Sequence, residues 1–161
     1  MTRIYKAHIN EQTKEIQTIK EHAVGTAQLV QSYGIPALSG VLYQMGLLHD
    51  CGKYQALWQR RIDGENIQVE HSICGAKEAW NLYDKNLLAY LMAYCIAGHH
   101  GGLPDGGSIL DNSGTVTLNG RLHKENDDYS AYKEEIEIEK LDAPSYINFL
   151  ISHCDKNLPQ I

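Results

Sequence analysis

The chain has 161 residues, enough for one ordinary domain with a core of its own. Hydrophobic residues make up 43% and charged residues 21%, which excludes a disordered chain, and no apolar run approaches the roughly 18 residues that a membrane span needs. The formal charge of −6, from 14 Lys and Arg against 20 Asp and Glu, excludes a general electrostatic grip on nucleic acid, so any DNA binding requires a local site, bound cations or a partner.

The first sixteen residues are polar and read as irregular. Thr18-Ile19-Lys20-Glu21 then has the form of a capping box. Apolar positions at Ile19, Ala23, Ala27, Val30 and Tyr33 predict a helix over about 19–33, with Gly34 as a left-handed cap and Pro36 blocking continuation. A second helix is predicted over about 37–49, striped by Leu38, Val41, Leu42, Met45 and Leu48. A short third, about 54–62, carries Leu57 and Trp58 before the Asp63-Gly64 turn. The fourth spans about 71–83 with Ile73, Ala76, Ala79 and Trp80 inward, and the fifth about 86–98 with Leu88, Leu91, Met92, Cys95 and Ile96. Residues 101–114 are rich in Gly, Asp and Ser. Asn119-Gly120, flanked by 115–118 and 121–123, predicts a small hairpin or ordered loop after the fifth helix. Residues 124–140 read as a solvated connection or exposed helix, and a last helix is expected over about 144–153. The class is all-α, helices packed around one core, with a single domain over 1–161.

The eight histidines do not scatter. His22 lies inside the first predicted helix, His49-Asp50 ends the second, His71 opens the fourth, and His99-His100 ends the fifth. A lone histidine of this kind is usually a satisfied core or cap residue. Five of them with an aspartate, at helix ends and on one helix face, are a different matter, because the ends of bundled helices converge. Neutral imidazoles bind divalent transition metals, and a carboxylate bridges two of them. A pair of metal ions is the recurring device for phosphodiester hydrolysis. Asp50 is the natural bridge, since it directly follows a histidine. Lys53 in His49-Asp50-Cys51-Gly52-Lys53 has the charge to hold a scissile phosphate, although its spacing alone reads as a solvated lysine. Cys74 and Cys95 share helix faces with proposed ligands but read as core. Trp58, Trp80 and the ten tyrosines read as core and rim, and His123 and His153 as exposed or structural. Cys51, Cys74, Cys95 and Cys154 form no C-x-x-C pair, and residues 1–8 lack the apolar core of a signal peptide, so the expectation is a cytoplasmic protein with reduced thiols.

The order His22, His49-Asp50 with Lys53, His71, His99-His100 resembles the HD phosphohydrolase superfamily. The stretch Ala97-Gly98-His99-His100-Gly101-Gly102-Leu103-Pro104-Asp105 and the opening Ala7-His8 with Gln17-Thr18-Ile19-Lys20-Glu21-His22 narrow the resemblance to the HD nuclease domain of the type I CRISPR helicase–nuclease, over about residues 5–123. The resemblance implies an HD-domain helical bundle with two metal sites, His22, His49 and Asp50 in the first and Asp50, His71, His99 and His100 in the second. Asp50 and Lys53 are the expected catalytic residues. His8 stands where many relatives carry a histidine. The family adds a late aspartate to the first site, and neither Asp155 nor Asp142 matches its surroundings; the ligand lies beyond Ile161, or the form is shortened and the site incomplete.

The implied activity is a metal-dependent DNA endo- or exonuclease, preferring single strands and acting in CRISPR interference, an antiviral defence. One or two divalent ions are expected, with Mn, Ni, Co, Fe or Zn suiting the histidines better than Mg. The implied partners are single-stranded DNA, a helicase and the CRISPR surveillance complex, and no membrane. No Walker-type motif occurs in these residues, which places any helicase on another chain or beyond residue 161. The alternatives are a nucleotide phosphohydrolase or phosphodiesterase of the same superfamily, and a non-catalytic metal-binding module.

Overall fold

The capping box forms as its spacing predicts. Thr18 Oγ1 accepts from the Glu21 amide at 3.2 Å while Glu21 Oε2 accepts from the Thr18 amide at 2.8 Å, and together they start helix α1 (Ile19–Tyr33). The structure is a computed structural model that describes residues 3–157, with side chains through His153. Beyond α1, a 3-10 turn at Pro36–Leu38 leads into α2 (Ser39–Leu48), and a second one at Cys51–Tyr54 into α3 (Ala56–Ile62). Then follow α4 (Ser72–Leu82), α5 (Leu87–Gly98), the one-turn helices α6 (Leu118–Leu122) and α7 (Tyr132–Glu135), and α8 (Ala143–Asn157). The described chain is mostly helical, and none of its helices is long and apolar enough to cross a membrane.

Two helix pairs, α1 with α2 and α4 with α5, carry the packing. The core is built from Ile19, Ala23 and Ala27 of α1, Leu48 of α2, Ile73, Ala76 and Ala79 of α4, and Leu88, Met92 and Ile96 of α5. Each fully buried Leu, Ile or Met contributes about 1.5–3 kcal/mol relative to exposure. The alanines let neighbouring helix backbones approach.

Several expectations are corrected. The opening residues are not irregular: β1 (Lys6–Ile9) and β2 (Ile16–Thr18) pair antiparallel, with an irregular register between Lys6 and His8. Gln59 of α3 closes the free side of β1, its carboxamide accepting from Lys6 N at 2.9 Å and donating to Lys6 O at 3.1 Å. Gly34 is extended, not left-handed, and Tyr33 is 84% exposed. Cys95 and Leu91 face outward, while Cys74 is buried as expected.

The hairpin expected around Asn119-Gly120 is absent. Thr117 Oγ1 accepts from the Gly120 amide at 3.1 Å and caps helix α6 instead. Gly120 serves close packing here: a Cβ would lie 1.8 Å from Thr115 Oγ1. The preceding stretch is an ordered loop, held by bonds such as Leu118 N to Asp105 O at 2.7 Å. The charged 124–140 segment is not merely solvated, because it buries Tyr132 and Ile136 in the core and its Tyr129 and Tyr132 hydroxyls donate to Glu78.

Candidate metal centre

Helix α2 ends at Leu48, so His49 and Asp50 occupy the break between that helix and the Cys51–Tyr54 turn. Gly52 brings this break against the start of α4: a Cβ there would sit 2.2 Å from His71 O and 2.7 Å from His71 Cα. His71 is the N-cap residue of α4, and His99 the C-cap residue of α5 with His100 next to it. His22 comes from α1, which packs on α2. Three helix ends and one helix face therefore deliver their histidines to a single carboxylate.

That carboxylate, Asp50, is 1% exposed. Its Oδ2 lies 3.0 Å from His22 Nε2, 3.1 Å from His49 Nε2 and 2.9 Å from Lys53 Nζ. Its Oδ1 lies 3.2 Å from His71 Nε2 and 3.4 Å from His99 Nε2. His100 joins through His71, Nε2 to Nε2 at 2.8 Å, and the nitrogens of His22 and His49 stand 3.1 Å apart. The donor atoms of Asp50, His71, His99 and His100 all lie within 4.8 Å of one another, as do those of His22, His49 and Asp50. Every histidine and the aspartate singled out in the sequence thus meet at one place.

Burial pushes the Asp50 carboxyl upward, and the surrounding imidazoles of His22, His49, His71 and His99 lower it only in the form that carries a proton on Nε2 and donates it to the carboxylate. Burial, then repulsion from His99 and His71, takes His100 down to about 4. His8 is lowered by burial and then by the Lys53 charge.

Second contacts orient the rings. His49 Nδ1 stands 2.7 Å from Gly46 O, and His99 Nδ1 2.7 Å from Ile96 O. Since a carbonyl only accepts, both Nδ1 atoms carry the proton, and the Nε2 lone pairs face Asp50. On the other side of Asp50, Oδ1 is buried without a hydrogen bond of normal geometry despite its two nitrogen neighbours. A buried carboxylate oxygen facing the His99 lone pair, beside a His71 ring whose own Nδ1 is buried without a partner, is uncompensated as it stands and suits a cation. The residues present therefore fit a divalent ion.

Lys53 departs from the solvated reading. It is 1% exposed, bonded to Asp50, with His8 Nε2 3.4 Å from its Nζ and the Trp58 ring 5.0 Å away. Its burial follows from the Cys51–Tyr54 turn, which folds Nζ back on Asp50 at i, i+3. The hairpin brings His8 to the rim, its ring 4.7 Å from that of His22. His123 and His153 lie on exposed surface away from the cluster. Asp142 bonds Ser145 and does not join the cluster, and the side chain of Asp155 lies outside the described ones.

Sequence reasoning missed Arg121. Its Nε donates to Glu70 Oε1 at 2.8 Å, Nη2 to Ser72 Oγ at 3.0 Å and Nη1 to Ala97 O at 3.1 Å. One side chain so ties the start of α4 to the end of α5, the two ends that carry His71 and His99. An arginine in an expected hairpin gave no signal for this. Trp58, read as core or rim, packs directly on His71 with ring centroids 4.4 Å apart.

No protein-family model matches the chain, and no curated protein matches it either.

Proposed function

We propose that this chain is a metal-dependent phosphodiesterase of the HD phosphohydrolase type, and within it a nuclease that cuts single-stranded DNA in type I CRISPR interference alongside a helicase and a surveillance complex. One observation carries the reading: a buried carboxylate whose two oxygens face two separate imidazole clusters. Two divalent ions supply, when bound, a lowered pKa for an attacking water and neutralisation of phosphoryl charge.

The residues of the chain do the rest. His22, His49 and Asp50 would hold one ion, and Asp50, His71, His99 and His100 the other. Gly46 O and Ile96 O keep His49 and His99 in the ligating tautomer. Lys53, lining the cleft beside Asp50, offers an ammonium to a phosphate oxygen. A flexible single strand reaches phosphates into a centre recessed among helix ends more readily than a duplex.

The test is hydrolysis of single-stranded DNA, duplex DNA and nucleotides by chelator-stripped protein given Mn, Ni, Co or Mg. The expected result is single-strand cleavage, restored better by Mn, Ni or Co than by Mg. Hydrolysis of nucleotides alone would move the chain to the phosphohydrolases. One bound ion with no hydrolysis of any substrate would make it a binding module.

A further inference from the structure

A cleft of about 890 Å³ opens beside the metal centre, reaching from His71 and His100 past Lys53 to Lys14 and Arg61. It lies on a chain whose net charge is −6, yet beside Lys53, which is paired with Asp50, two further cations line it, Lys14 and Arg61. Of its two acidic lining residues, Asp63 is already paired with Lys6, which leaves Glu11.

Two adjacent arginines of α3 behave differently. Arg60 is paired with Glu65, Nε to Oε1 at 2.8 Å and Nη2 to Oε2 at 2.6 Å. Arg61 pairs with no carboxylate among the described residues. It lies over the Trp58 ring at 5.3 Å from the centroid, and that ring packs on His71. A guanidinium lying over an indole face keeps N–H donors available for an anion. Arg61 thus shares the Trp58 ring with His71, a candidate metal ligand, and lines the same cleft.

We infer that Arg61, held on Trp58, takes a phosphate of a nucleic-acid strand whose neighbouring phosphate lies at the metal centre. The inference rests on the nuclease reading above and deepens it. A nucleoside monophosphate with its phosphate at the metals has no second phosphate to offer Arg61, whereas a strand has. Arg61 is on this reading a positioning contact for the strand, and Lys14 is a further cation lining the same cleft.

The experiment measures binding separately from cleavage, by fluorescence anisotropy of a labelled phosphorothioate oligothymidine on metal-loaded protein across a salt series. Arg61→Ala should weaken binding about tenfold, the scale of a charged hydrogen bond. It should also flatten the slope of log affinity against log salt by about 0.7, the value for one phosphate contact on a single strand. Arg61→Lys should keep the slope and recover part of the affinity. Arg60→Ala should match the unsubstituted protein, and all variants should bind the same amount of metal. An unchanged slope in Arg61→Ala, or loss of its metal, overturns the inference, and so does failure of the unsubstituted protein to bind the strand. Cleavage with an unchanged Arg61→Ala slope sinks this inference alone. An Arg61-dependent slope without cleavage of any strand supports the contact and sinks the nuclease reading.

Discussion

The two donor clusters that meet at Asp50 are unequal. On Oδ1 stand His71 and His99, with His100 behind, and no cation. On Oδ2 stand His22 and His49, but that oxygen also takes the Lys53 ammonium at 2.9 Å. The protein has thus compensated one oxygen internally and left the other open. A single carboxylate is divided into an oxygen that helps hold the fold and an oxygen available to a ligand. The cluster with more donors and no resident charge is expected to bind an ion first and more tightly.

The largest effect tests the shared carboxylate itself. Asp50→Ala removes donors from both clusters and strands a buried ammonium. Metal binding should vanish, and stability should fall by about 3–5 kcal/mol, the usual cost of breaking a buried ion pair from one side. Adding Lys53→Met should restore most of the stability and none of the metal binding. Urea denaturation with calorimetric metal titration reads both; a fully stable single substitution would mean that Lys53 finds another partner.

Next in size, the inequality can be broken from either side. His71→Ala should weaken the tighter site by about 100-fold or more, since even outer contacts to a metal ligand cost 10–100-fold. His22→Ala should remove only the weaker one. Titration curves that respond identically to both substitutions would make the clusters equivalent.

The smallest effect is a pH dependence of metal-stripped protein. His8 and His100 are held below the ordinary histidine value of 6.5, His100 at about 4. The unfolded chain therefore takes up protons first as pH falls. The His100 contribution to stability is complete above about 6.5, declines as pH falls towards about 4 and is flat below that, and His8 acts in the same direction. Melting temperatures should follow this course, and His100→Gln should reduce the slope within the window.

The helices were legible because a 3.6-residue stripe repeats over several turns, as in Ile19, Ala23 and Ala27 or Leu88, Met92 and Ile96. The convergence of the histidines was legible because each sits where a stripe ends. β1 was not, because a four-residue strand that buries only Ala7 gives alternation too little length to register. Asn119-Gly120 misled because Thr117, two residues earlier, claims the glycine amide as a helix cap. Lys53 was illegible in principle: a lysine three residues after an aspartate reads as solvated until a tight turn folds one back upon the other. Arg121 and Arg61 likewise depend on partners far away in sequence or on the absence of one nearby.

The carboxamide of Gln59 has a consequence for association. A two-stranded ribbon has two open edges, and exposed edges invite strand pairing with other molecules. Here the Lys6 amide and carbonyl are already taken by Gln59, which is 6% exposed and also donates to Lys53 O at 2.9 Å. A side chain occupies the place another strand would have filled. The same residue that steadies the turn carrying Lys53 therefore blocks the β1 edge at Lys6 against pairing with another strand, so loss of this one glutamine would be felt both in association and in the setting of Lys53.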